Sequence, residues 1–127
     1  MGSWGPGNLD NDGAVDFIGG VCGELVDSIW RRAQRKESRE YDEPDYDELF
    51  AEFEMVFAFE SADLFNGWNV PSPETFGAIK KPFLDDWCKY SESKGGPGGV
   101  GCERYNVISA TLDRFHKLCE KYYAESI

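Results

Sequence analysis

The segment Asp45-Tyr-Asp-Glu-Leu-Phe-Ala-Glu-Phe-Glu-Met-Val-Phe57 decides the fold class of this chain. Its large apolar side chains recur every three or four residues, which is the spacing of one face of an α-helix. Asp45 stands where an N-cap belongs, and the helical pattern continues past it to a stop signal at Asn66-Gly67. We therefore predict a long amphipathic helix whose buried stripe consists of Tyr46, Leu49, Phe50, Phe53, Val56 and Phe57.

Helical spacing also marks both ends of the chain. A first helix is predicted over about residues 13–36 and a last helix over about residues 106–124. Between them, Ser72 is placed to cap a short helix that has Pro73 at its first position, and a further helix is predicted to begin near Pro82. Since no strand-like alternation of useful length occurs, the pattern predicts an all-α protein.

The length of 127 residues suits one domain, and no internal repeat divides it. We predict a single helical domain over residues 1–127, built as a bundle of four to five helices. Residues 1–12 are predicted to form an N-terminal loop, and residues 93–104 a flexible surface loop, because both stretches are rich in glycine.

Three glycines lie inside the predicted first helix, at Gly19, Gly20 and Gly23. Each costs up to about 1 kcal/mol of helix stability relative to alanine. Two interpretations are open, namely an interrupted helix or the close approach of another segment to the helix backbone, and we favour the close approach.

Nothing in the sequence forms a strong catalytic or metal-binding pattern. Gly2, Gly5 and Gly7 precede a helix, but the strand and the lysine of phosphate-binding loops are missing. His116 lies three residues before Cys119, without a readable activating arrangement. We therefore predict no catalytic residue, no metal and no cofactor. The cysteines are expected to be reduced thiols, because no export signal is present; they are Cys22, Cys88, Cys102 and Cys119.

The apolar runs are too short for a membrane helix, the longest being Met55–Phe59. A cytoplasmic protein is therefore expected.

The negative charge is concentrated in one place. Between Glu40 and Ile79 there are eleven acidic residues and no Lys or Arg, whereas the rest of the chain holds thirteen acids and thirteen bases. This distribution excludes a typical nucleic-acid binder, which needs clustered Lys and Arg. Either the acids form an ordinary solvated surface, partly paired with the bases of Arg31–Arg39, or they dock a basic protein partner. The docking residues would be Tyr41, Asp42, Glu43, Asp45, Tyr46, Asp47 and Glu48, with the two tyrosines as aromatic anchors.

The N-terminal residues Trp4-Gly5-x-Gly7-x-Leu9-x-Asn11-Asp12-x-Ala14-x-Asp16-Phe17 resemble the signature of a bacterial family, the domain of unknown function 4259 family. The resemblance covers about sixteen residues and implies a small, mostly helical cytosolic protein without an established activity. We interpret this motif as a structural clasp. In this interpretation Trp4 packs on the glycines of the first helix, Asn11 and Asp12 cap it, and Asp16 strengthens its first turn.

The predicted function is non-enzymatic binding of a protein partner. Most concretely, we expect an immunity-type protein that neutralises a basic toxin or nuclease through its acidic surface. The alternatives are a small enzyme or ligand-binding domain that uses the motif from Trp4 to Asp16, and a helical domain without a dedicated basic partner.

Overall fold

The computed structural model describes residues 4–96 and 98–125, and these residues form an all-α bundle, as predicted. Gly2, for which the sequence predicts no phosphate-binding role, lies outside the described part. Four long helices and one short helix follow one another along the chain, with a 3₁₀ helix at Lys36–Arg39. The α-helices are α1 at Asp12–Ala33, α2 at Pro44–Ser61, α3 at Pro73–Gly77, α4 at Lys80–Ser93 and α5 at Glu103–Glu125. In this described part, no helix is both long and apolar enough to cross a membrane.

The start of α2 differs from the prediction. Pro44 occupies the first helical position, where its missing N–H costs no hydrogen bond, and Glu43 takes the cap position without a side-chain cap bond. The expectation that Asp45 caps the helix is therefore wrong, since Asp45 already lies within the first turn.

The end of α2 also comes earlier than the predicted stop at Asn66-Gly67. Asp63 adopts a left-handed backbone with φ 61°. The N–H of Leu64 donates to the carbonyl of Phe59 at 2.8 Å, and the N–H of Asp63 donates to the carbonyl of Glu60 at 3.1 Å. This pair of bonds is a Schellman motif, which satisfies the last carbonyls of the helix. The helix ends before the glycine because an aspartate takes the conformation that usually favours glycine.

The core is centred on Phe53 of α2, whose side chain is fully buried. Its ring lies 5.2 Å from that of Phe115 on α5 and 6.5 Å from that of Phe76 on α3, both edge to face. Such pairs add about 0.5–1.5 kcal/mol each beyond the burial of apolar area. The stripe predicted from the sequence therefore does join α2 to its neighbours, and α1 and α4 complete the core with Val26, Ile29, Phe83, Leu84 and Trp87.

The glycines of α1 are approached closely by another segment, as predicted, but not by the predicted residue. A Cβ at Gly23 would lie 2.6 Å from Trp68, and one at Gly19 would lie 2.6 Å from Asn66. Apart from the adjoining residues and backbone of α1 itself, no described atom lies within 4 Å of the corresponding position at Gly20. The connection between α2 and α3, and not Trp4, therefore covers this face of α1.

The glycine-rich connection between α4 and α5 is shorter than the predicted residues 93–104. Ser91, which is buried, holds it: the backbone N–H of Gly96 donates to the Ser91 carbonyl at 2.7 Å, and that of Gly98 to the Ser91 hydroxyl at 3.1 Å. At its far end the N–H of Tyr105 donates to Cys102 Sγ at 3.4 Å, so α5 starts three residues before the predicted Asn106.

Candidate functional site

The predicted docking residues lie between the 3₁₀ helix and the first turn of α2. Asp42, Asp47 and Glu48 are exposed, and Glu43 and Asp45 are half-buried. The segment is therefore a surface feature, but its members differ in how much of their charge is compensated.

Two arginines of α1 and its following turn compensate part of the acidic segment. Arg35 Nη1 lies 3.0 Å from Asp45 Oδ2, and Arg32 reaches Glu48 at 2.8 Å and Glu52 at 3.1 Å. Glu52 lies deeper than the others, with 15% of its side chain exposed, and it also accepts a hydrogen bond from the Ser28 hydroxyl at 2.6 Å. The predicted internal pairing with the bases of α1 is therefore present, and it joins α1 to α2.

Asp42 makes a different contact, with a tyrosine of α4. The Tyr90 hydroxyl donates to Asp42 Oδ1. This hydrogen bond is the main reason why the pKa of Tyr90 rises to about 12, and burial and the charges of Asp42, Glu40 and Glu43 raise it further. Asp42 therefore accepts a hydrogen bond from a hydroxyl group, and it forms no ion pair with any described residue.

The two predicted aromatic anchors differ in their exposure. Tyr46 is only 7% exposed, and its hydroxyl accepts a hydrogen bond from Arg104 Nε at 2.5 Å. The guanidinium of Arg104 also lies 5.2 Å above the Tyr46 ring. Tyr41 is half-buried, and its ring packs edge-on against Tyr90 at 5.4 Å. The predicted anchor role of Tyr46 is therefore wrong, because the apolar stripe of α2 turns this side chain into the core.

Most of the acidic residues between positions 40 and 79 form no ion pair within the described part of the chain. Of its eleven acids, four lie in ion pairs within the described residues: Asp45, Glu48, Glu52 and Glu60. The other seven form no such pair there; they are Glu40, Asp42, Glu43, Asp47, Asp63, Glu54 and Glu74. The outer face of α2 exposes Asp47 and Glu54 beside Met55, which is 49% exposed.

The N-terminal motif folds back on an aspartate that sequence reasoning missed. The N–H of Trp4 donates to the Asp10 carbonyl at 2.8 Å, and the N–H of Gly7 donates to the Asp10 carboxylate at 2.8 Å. A Cβ at Gly5 or Gly7 would lie 2.6 Å or 2.7 Å from that carboxylate. The glycines are therefore required by a tight turn around Asp10, and the only sequence signal is their position just before an acidic side chain.

The remaining motif residues cap α1 less fully than expected. Asn11 Oδ1 accepts from the Ala14 N–H at 2.7 Å and is the N-cap, whereas Asp12 is the first helical residue. Asp16 is exposed and lies beyond the first turn, where the helix dipole has little effect on it. Trp4 is 62% exposed. The expectations that Asp12 caps the helix, that Asp16 strengthens its first turn and that Trp4 packs on the glycines are wrong.

The pair of His116 and Cys119 is not arranged for nucleophilic chemistry. Burial raises the pKa of the Cys119 thiol to about 12, which keeps it protonated. Nε2 of His116 lies 3.0 Å from the Pro73 carbonyl oxygen, and since a carbonyl can only accept, Nε2 donates this hydrogen bond to the backbone. All four cysteines are free thiols, and no group of three or more metal-ligating side chains occurs within residues 4–96 and 98–125.

Comparison with known proteins yields no match: no protein-family model, no curated protein and no solved structure matches this chain. The resemblance of the N-terminal residues to the domain of unknown function 4259 family therefore stays a prediction.

Proposed function

We propose that this chain is a non-enzymatic cytoplasmic protein that binds a basic protein partner, most concretely an immunity-type protein that neutralises a basic toxin or nuclease. The observation that supports this proposal is that seven acids form no ion pair with any described residue, in a stretch without any Lys or Arg. The docking surface is formed by Asp42, Glu43 and Asp47 at the start of α2 and by Glu54 farther along its outer face.

The acids of this surface act mainly on the rate of encounter. Exposed like charges raise the association rate with a complementary surface by roughly 10 to 10³, and they lose this effect as salt screens them. They contribute little to affinity once the partner is bound, since exposed ion pairs are worth about 0–1 kcal/mol. Affinity must therefore come from neighbouring apolar contacts, for which Met55 is the exposed residue at hand.

The ion pairs of Arg32 and Arg35 fix the acidic segment against α1. They hold the inner acids, Asp45 and Glu48, against α1. A bound partner does not need to order these side chains again, so less conformational entropy is lost on binding.

The experiment measures association with the basic product of a neighbouring gene at low and high salt. Replacing Asp42, Glu43 and Asp47 by Lys should slow association at least about tenfold at low salt and abolish its salt dependence. The matched control replaces three exposed acids outside the segment, Glu24, Glu92 and Glu120, by Lys. Equal loss in both triple variants would show that only net charge matters and would overturn the proposed surface.

If no basic protein encoded by a neighbouring gene binds measurably, the two alternatives are favoured, namely a ligand site in the N-terminal motif and a helical domain without a basic partner. A ligand site in the N-terminal motif predicts that Trp4→Ala abolishes ligand binding without lowering the free energy of unfolding. The turn around Asp10 instead supports a structural role, because its polar groups bond to one another.

A further inference from the structure

A cleft of about 560 Å³ opens between the 3₁₀ helix and α4. It lies within the range of small-molecule pockets, which is about 300–1,000 Å³. Lys36 and Arg39 line it from the 3₁₀ helix, and Lys89 and Tyr90 line it from α4. Three cations on one cleft stand out in a chain whose formal net charge is -11.

The three cations differ in whether they are ion-paired. Arg39 is fixed: only 12% of its side chain is exposed, Nη1 donates to Asp86 at 2.7 Å and Nη2 donates to the Ala33 carbonyl at 3.0 Å. Arg39 and Asp86 therefore neutralise each other. Lys36 and Lys89 are exposed and form no ion pair with any described residue, so both ammonium groups are available to a ligand.

The cleft also carries acceptors. Glu40 lines it without a cationic partner among the described residues. The hydroxyl of Ser93 donates to the Tyr90 carbonyl at 2.8 Å, which leaves its oxygen lone pairs to accept. A ligand that suits this lining therefore needs an anionic group for the lysines and hydroxyl donors for Glu40 and Ser93.

We propose that the cleft between the 3₁₀ helix and α4 binds a small hydroxylated anion, a polyol or sugar that carries one phosphate or carboxylate group. Its volume is many times the roughly 30 Å³ of one water molecule, so a bare oxyanion leaves most of it unfilled. The cleft borders the proposed docking surface, because its lining residue Tyr90 donates a hydrogen bond to Asp42, but the test of the cleft needs no protein partner.

The test titrates glucose 6-phosphate, inorganic phosphate and glucose into the full chain and follows backbone amide shifts by NMR. Glucose 6-phosphate should give saturable shifts in residues 36–40 and 86–93 with a dissociation constant on the order of 1 mM. Inorganic phosphate and glucose should each bind at least about tenfold more weakly, because each offers only half of the recognised chemistry. Equal binding of either fragment, or no saturation by about 10 mM glucose 6-phosphate, would overturn the proposal.

Two variants separate the cleft from general charge effects. Lys36→Glu combined with Lys89→Glu should weaken glucose 6-phosphate binding at least about tenfold, whereas the control Lys81→Glu with Lys117→Glu, exposed lysines elsewhere, should leave it unchanged. Glu40→Gln should strengthen inorganic phosphate binding, because it removes a repulsive charge. The ratio of the affinities for glucose 6-phosphate and inorganic phosphate should therefore decrease. If both double variants lose the same affinity for glucose 6-phosphate, binding depends on net charge, and this cleft is not the binding site.

Discussion

Two glycines on the same helix, Gly20 and Gly23, should respond in opposite ways to the same substitution. Both lie inside α1 with helical backbones, so replacement by Ala brings the same propensity gain, up to about 1 kcal/mol of unfolding free energy. At Gly20 the new methyl group meets no described atom within 4 Å apart from the adjoining residues and backbone of α1 itself. Gly20→Ala should therefore stabilise the protein by about 0.5–1 kcal/mol.

At Gly23 the same methyl group would lie 2.6 Å from Trp68 Cε3 and 3.1 Å from Cζ3. Since both distances are shorter than van der Waals contact, the indole must move away from α1. Overpacking of this kind costs about 1–3 kcal/mol, which equals or exceeds the propensity gain. Because the gain is common to both variants, Gly23→Ala should be less stable than Gly20→Ala by about 1–3 kcal/mol.

The assay is urea unfolding followed by far-ultraviolet circular dichroism, with tryptophan fluorescence as a second probe. Adding Trp68→Ala to Gly23→Ala removes the clash, so the double variant should be more stable than the sum of the two single changes predicts. If Gly23→Ala stabilises the protein as much as Gly20→Ala does, Trp68 is not packed on α1 and the expected difference is refuted.

Five further substitutions test the helix ends and the contact of Asp42, which precedes α2, with α4. Asn11→Ala removes the N-cap of α1 and should lower the unfolding free energy by about 0.5–2 kcal/mol in urea unfolding, whereas Asp12→Ala should cost less. Asp63→Gly should raise the melting temperature, because glycine adopts the left-handed backbone at φ 61° without strain. Asp63→Ala should lower the melting temperature or leave it unchanged. Asp42→Asn should lower the Tyr90 pKa from about 12 towards 10.0 in an ultraviolet titration, because the carboxylate holds the hydroxyl proton. Since the folded pKa of Tyr90 is raised, its contribution to stability is complete below about pH 10 and is lost as the pH rises towards 12.

The helices could be predicted from the sequence because their signals are local. The apolar stripe of α2 and the capping pair of Ser72 and Pro73 both lie where the structure has them, and Ser72 Oγ accepts the Thr75 N–H at 3.2 Å. These signals depend on residues three or four positions apart in the chain. The end of α2 could not be predicted, because a left-handed residue at the end of a helix is usually glycine and position 63 is an aspartate.

The partners across the fold could not be predicted in the same way. Trp4 and Trp68 are both large aromatic residues beside glycine, and periodicity does not say which one reaches Gly23. Tyr46 belongs both to the apolar stripe and to the acidic segment. Its burial and its contact with Arg104 show that it packs with the stripe instead of facing solvent with the acids. Nonlocal contacts of this kind decide which predicted site residues face solvent.

The division of the acidic segment follows from its position at the start of a helix. A helix turns successive residues by about 100°, so acids placed at neighbouring positions must point to different sides. Asp45 and Glu48 therefore meet the arginines of α1 and stabilise the contact of two helices, while Asp47, between them in sequence, faces solvent. One run of like charge thus supports the bundle on one side and carries acids without an ion pair to any described residue on the other. Reversal of Asp47 should change partner binding with less loss of stability than reversal of Asp42, whose carboxylate accepts a hydrogen bond from α4.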